Sequence, residues 1–191
     1  MKRLFQIFFL LLISLLCRPA NNSNAVEPPR EPFLIIENGM HTGRVNRIAV
    51  DRSGRWLATS SLDKTVRVWD LEQKKPYKVL RPPIGNDIYG SVTAVAISPD
   101  GKIIASGGVG WGTDGYAAVI TFFDRKTGKL TGRITSHLPD TVLNLSYSDD
   151  GKLLAASLSK KGIRLFRTAD WSLAGEDLEY GSASFYADFS H

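Results

Sequence analysis

The 191-residue sequence predicts an all-β protein made of repeated four-stranded antiparallel sheets, and three observations carry that expectation. The first is an internal repeat, since segments beginning at Val45, Val92 and Val142 superimpose, with turn glycines Gly54, Gly101 and Gly151 in the same place. The second is apolar alternation with period two before each turn, as in Val95 and Ile97, which a strand with one buried face requires. The third is the turn chemistry of Ser98-Pro99-Asp100-Gly101, where Pro presets φ, Asp bonds nearby backbone and Gly takes the open conformation.

The elements follow in order. Lys2 and Arg3 precede an apolar run from Leu4 to Cys17, and Ser23-Asn24-Ala25 puts small residues where a signal peptidase cuts. Residues 1–25 are therefore expected to be a signal helix that is removed, the alternatives being an uncleaved anchor or a buried helix. The run is shorter than the roughly 20 residues a spanning helix needs, so no stable membrane insertion is expected after cleavage. Residues 26–31 are a linker, and Pro32 to Glu37 a lone strand. Repeats follow near 41–81, 90–134 and 137–179, and the start of a fourth at 184–191. In each repeat two strands flank the glycine turn. A third ends on an aromatic (Val66 to Trp69, Ile120 to Phe123, Ile163 to Phe166), and a weaker fourth follows, as around Lys129 to Ile134. Four short strands in each unit of about 45 residues make a propeller blade.

Composition narrows the functions. Cys17 is the one cysteine, which excludes a disulfide framework and, downstream, a cysteine zinc site or thiol nucleophile. The first 25 residues hold three basic and no acidic side chains, so the remainder carries 21 basic and 19 acidic. No basic stripe is left to follow a phosphate backbone, and no nucleic-acid partner is expected.

At Ser61-Leu-Asp63-Lys-Thr-Val-Arg-Val-Trp69-Asp70 the chain resembles the WD-repeat β-propeller family, and the Ser98–Gly101 and Ser148–Gly151 turns fit the same repeat. Through stretches such as Leu80-Arg-Pro-Pro-Ile-Gly85 and Arg167-Thr-Ala-Asp-Trp171 it is similar to secreted bacterial members. Some relatives of these carry a caspase-like domain, which is not expected here because no cysteine follows Cys17 to serve as its nucleophile. The resemblance implies a structural network in the first repeat, in which His41, Thr59 or Ser61, Asp63 and Trp69 form a buried hydrogen-bond chain. Met40 replaces the glycine that usually precedes that His. Phe123 and Phe166 have no N–H donor, so the chain cannot be completed in the other repeats. Counting strands gives three full blades and two flanking strands, below the four to eight blades of closed rings. The expectation is an open arc from a longer propeller protein, with exposed edges that favour association.

Other candidates stand beside a structural alternative. Gly107 to Gly115 has the glycine content of a phosphate loop, but a strand follows it and no Lys-Ser/Thr pair is present, so a long loop is expected. Within it Trp111, Asp114 and Tyr116 are a candidate partner-binding loop, the alternative being that Trp111 folds back onto the blade. His41 and Asp63 could be an acid–base pair, but no nucleophile accompanies them. His137 is expected in a loop, the Asp149-Asp150 pair in an ordinary turn rather than a calcium site, and the Asn144-Leu-Ser146 sequon in a strand. No metal or cofactor is expected. The leading function is a non-catalytic, periplasmic or secreted scaffold for a protein or peptide ligand. The rival is a periplasmic propeller hydrolase or lactonase.

Overall fold

A computed structural model describes residues 39–83, 90–112, 115–179 and 182–190. The expected signal helix, the linker, the strand at 32–37 and Asp114 lie outside them. The described chain is all-β, and among its residues no helix is long and apolar enough to cross a membrane.

Among the described residues, twelve strands form three antiparallel sheets of four. The first contains β1 (Val45–Val50), β2 (Trp56–Ser61), β3 (Val66–Asp70) and β4 (Lys75–Leu80). The second contains β5 (Val92–Ile97), β6 (Ile103–Gly112), β7 (Gly115–Asp124) and β8 (Leu130–Ile134). The third contains β9 (Val142–Tyr147), β10 (Leu153–Leu158), β11 (Ile163–Arg167) and β12 (Leu173–Asp177). Each sheet is a meander in chain order, as short polar turns between consecutive strands dictate.

The three glycine turns are built alike. Gly54, Gly101 and Gly151 have φ of 71°, 68° and 70°. Their N–H groups donate to the carbonyls of Asp51, Ser98 and Ser148 at 3.0, 2.8 and 2.8 Å. The side chains of those same residues then accept from the first N–H groups of the next strand, Trp56, Ile103 and Leu153. One short polar side chain thus closes the turn and starts β2, β6 or β10.

Alternation sends the two faces of the second sheet to different neighbours. Val95, Ile97, Ile104 and Phe123 pack with Ala58, Val66, Val68 and Leu80 of the first sheet. Ala94, Ala96, Ala105 and Phe122 pack with Val142, Leu145, Leu154 and Phe166 of the third. The middle sheet is therefore buried on both sides, whereas β1 shows Ile48 at 66% exposure. Side chains also tie neighbouring inner strands: Asn46 donates to the Val92 carbonyl and Thr93 to that of Val142, at 2.8 and 2.5 Å.

Two segments differ from expectation. The long loop expected over Gly107 to Gly115 is instead the upper part of a hairpin, β6 and β7 staying paired from Ile103↔Asp124 to Gly112↔Gly115. Its glycines answer to close neighbours rather than to a turn: a Cβ on Gly107 would lie 2.7 Å from Val142 Cγ1, and one on Gly108 2.0 Å from the Ser91 carbonyl oxygen. Residues 183–190, where a further inner strand was expected, carry no strand. Side chains take the carbonyls there: Arg47 donates to that of Phe185 and Asn144 to that of Ala187. No ladder joins β1 to β9. The Arg52 guanidinium reaches the Asp149 carboxylate at 3.7 Å, so the turns of the first and third sheets meet.

Candidate functional site

In the first sheet, antiparallel pairing sets Thr59 of β2 opposite Arg67 and brings its side chain to Trp69 of β3. Trp69 Nε1–H donates to Thr59 Oγ1 at 3.1 Å, and Thr59 Oγ1 is 2.7 Å from His41 Nε2. His41 Nδ1 is 2.8 Å from Asp63 Oδ2. With an ionised Asp63, His41 donates through Nδ1–H and accepts from the Thr59 hydroxyl at Nε2, so one proton per link completes the row. Ser61 stands beside it, its hydroxyl accepting from the Asp63 N–H at 3.1 Å. Thr59 is thus the linking hydroxyl. Gly43 permits the close approach, since a Cβ there would lie 2.9 Å from the Asp63 nitrogen.

Asp63 also accepts from Thr42 N–H, Thr65 N–H and the Thr65 hydroxyl. Burial alone pushes its carboxyl pKa upward, but the bonds from Thr65, His41 and Thr42 outweigh this and hold it below the ordinary 3.8. The His41 and Asp63 side chains are each 6% exposed. A pair so enclosed, with every facing atom engaged, offers a substrate neither a proton acceptor nor an approach.

The second and third sheets place Phe123 and Phe166 where Trp69 stands, both in apolar cores. Trp111 and Tyr116 pair directly across β6 and β7, near the tip of the hairpin. His137 is exposed in a bend with φ 60°. Asp150 accepts from Ser148 Oγ and Lys152 N–H, while Asp149 meets Arg52. Among the described residues no three His, Cys, Asp or Glu side chains are placed to hold a metal. Asn144 of the sequon is buried on β9.

A cleft of about 330 Å³ that no local sequence pattern marks lies between the second and third sheets. Ser98, Asp100, Tyr147, Asp150, Thr168 and Trp171 are among its lining residues. The Tyr147 hydroxyl is buried without a hydrogen-bond partner among the described residues. Burial, and then the charge of Asp100, push its pKa far upward, so the phenol stays neutral. Trp171 has φ 60°, a left-handed conformation that a bulky side chain rarely adopts, and its indole stacks on Phe122 at 3.6 Å. The available signal was a tyrosine ending β9 where the other repeats have Val50 and Ile97.

The family model described as WD domain, G-beta repeat, matches residues 37–70, 81–119 and 128–167. The chain is 29% identical over 146 residues to the periodic tryptophan protein 2 homolog of Schizosaccharomyces pombe, covering 66% of this chain and 16% of that protein. It is 24% identical over 169 residues to protein HIR1 of Cryptococcus neoformans, covering 82% of this chain and 18% of that one. With the WD repeat-containing protein VIP3 of Arabidopsis thaliana it shares 28% over 139 residues, 66% of this chain and 40% of that protein. The chain thus spans less than a fifth of the length of the two fungal relatives.

Proposed function

Since this chain belongs to the WD domain, G-beta repeat family, we propose that it acts as a non-catalytic scaffold whose sheets present a fixed surface to a protein or peptide partner. The observation that carries this reading is the fate of the acid–base candidates. His41 and Asp63 are spent on bonds inside the first sheet. The β6–β7 hairpin carries Trp111 and Tyr116 opposite each other near its tip, and aromatic residue types at such a position suit a binding anchor. The test is chemical cross-linking of the native protein in its own extract, with Trp111→Ala as the comparison. A defined partner whose yield falls in the variant is expected. Turnover of ester or lactone substrates, whether or not a chelator abolishes it, with no partner recovered, would overturn the reading.

We also propose that the chain is exported, to the periplasm or the outside of the cell. The support lies in the basic pair Lys2 and Arg3, the apolar run behind them and the Ser23-Asn24-Ala25 site. Sequencing the native protein from its N-terminus should read from Val26; a start at Met1 in a soluble cytoplasmic fraction would refute export.

A further inference from the structure

The three repeats allow one junction between sheets to be compared with the next, residue by residue. The N–H of Leu71, Arg125 and Thr168 donates to the carbonyl of Arg55, Lys102 and Lys152 respectively, so these three positions are equivalent. Trp56, Ile103 and Leu153 are equivalent in the same way, each lying two residues after its turn glycine.

Between the first and second sheets, Arg125 fills the junction. Its guanidinium carbon lies 3.7 Å from the centre of the Trp56 ring, and its Nε–H donates to the Gly101 carbonyl at 2.5 Å. Between the second and third sheets Ile103 replaces Trp56 and Thr168 replaces Arg125. The Thr168 hydroxyl makes the equivalent bond, to the Gly151 carbonyl at 2.7 Å, but nothing of its side chain extends further. The cleft lies there, where the first junction holds its guanidinium.

We propose that this cleft binds the guanidinium of an arginine side chain supplied by a protein partner. The proposal rests on the scaffold reading and gives that partner a chemistry. Three features of the walls suit the ligand. The Tyr147 oxygen, buried and without a hydrogen-bond partner among the described residues, is free to accept an N–H from the ligand. Trp171, in the left-handed position where the second repeat has Gly128, puts an indole at the wall as Trp56 does in the first junction. Asp100 and Asp150 supply negative charge, and the Oδ2 of each meets the ammonium of Lys102 or Lys152 at 3.0 and 3.2 Å. Those lysines are 74% and 80% exposed, so such pairs hold weakly and yield to a planar, forked donor.

The test uses the full chain and isothermal titration with three probes: Nα-acetyl-arginine methylamide, its citrulline analogue, and a short arginine-containing peptide. The arginine probe should bind saturably, the neutral citrulline at least tenfold more weakly, and the peptide more tightly than the blocked amino acid. Thr168→Arg should fill the cleft from within, lowering binding at least tenfold while the unfolding midpoint stays or rises. Tyr147→Phe, which keeps the ring, should weaken binding several-fold and decides the matter if Thr168→Arg does not fold. Equal binding of citrulline and arginine, or arginine binding unchanged by both substitutions, would overturn the site. A peptide no tighter than the blocked amino acid would overturn a protein source for the group. Arginine binding without any cross-linked partner would count against the scaffold and leave the cleft standing; a partner unaffected by Thr168→Arg would do the reverse.

Discussion

Asp63 shows how much one side chain can hold. Its two oxygens accept from His41, Thr42 and twice from Thr65, and removing them strands donors in a half-buried place. Asp63→Ala is therefore expected to cost about 1–3 kcal/mol, the usual penalty for donors left without an acceptor, measured by urea denaturation. Asp124→Ala makes a suitable control, because that carboxylate accepts from Thr127 within its own exposed turn. An equal loss in both variants would contradict the importance given to the His41 row. The sign of the pH effect follows from the same bonds. Asp63 and Asp100 sit below the ordinary 3.8, and Asp150 falls to about 2, held down by the Lys152 N–H and the Ser148 hydroxyl. As pH falls the unfolded chain takes up protons first, so their stabilisation is present above 3.8 and lost through the folded values towards 2. The unfolding midpoint should hold steady down to about pH 5 and then drop, and Asp63→Asn should flatten part of that drop.

At the scale of the strand, the middle sheet decides most. Phe122 is fully buried, stacks on Trp171 and packs into the core shared with the third sheet. Phe122→Ala should cost about 3–5 kcal/mol and expose Trp171, visible as a red shift in its emission. Gly108 tests the other kind of constraint, since any Cβ there meets the Ser91 carbonyl oxygen at 2.0 Å. Gly108→Ala should lower the midpoint by several degrees, whereas Gly54→Ala, with open space around it but φ of 71°, should cost only backbone strain. Period two and the turn residues made the strand pairs legible in advance. The extension of the β6–β7 hairpin was not legible, because Gly107 and Gly108 are dictated by Val142 and Ser91, residues that the local pattern does not mention.

For the described body as a whole, burial is uneven. The second sheet is covered on both faces, but the first shows Val45, Ile48 and Val50 at 45%, 66% and 49% exposure. Phe185 and Tyr186 are similarly uncovered at 66% and 68%. An apolar face of this kind favours association in water. Sedimentation velocity of the full chain should show species larger than the monomer, and Ile48→Lys should shift them towards it. A monodisperse monomer in the unsubstituted protein would contradict this.

The repeat, the four strands of each unit and their turns were legible in the amino-acid order, because alternation and turn chemistry are written in neighbouring residues. That order also marked His41, Asp63 and Trp69 as a group through a family pattern. It left open whether Thr59 or Ser61 carried the link, and the β2–β3 register settled that on Thr59. The cleft at Tyr147 and Trp171 belongs to tertiary structure alone. Its walls come from two sheets, and what opens it is a difference between junctions: Arg125 fills one and Thr168 leaves the other unfilled. Local patterning states which side chains turn inward; only the packing of one sheet on the next states what they meet there.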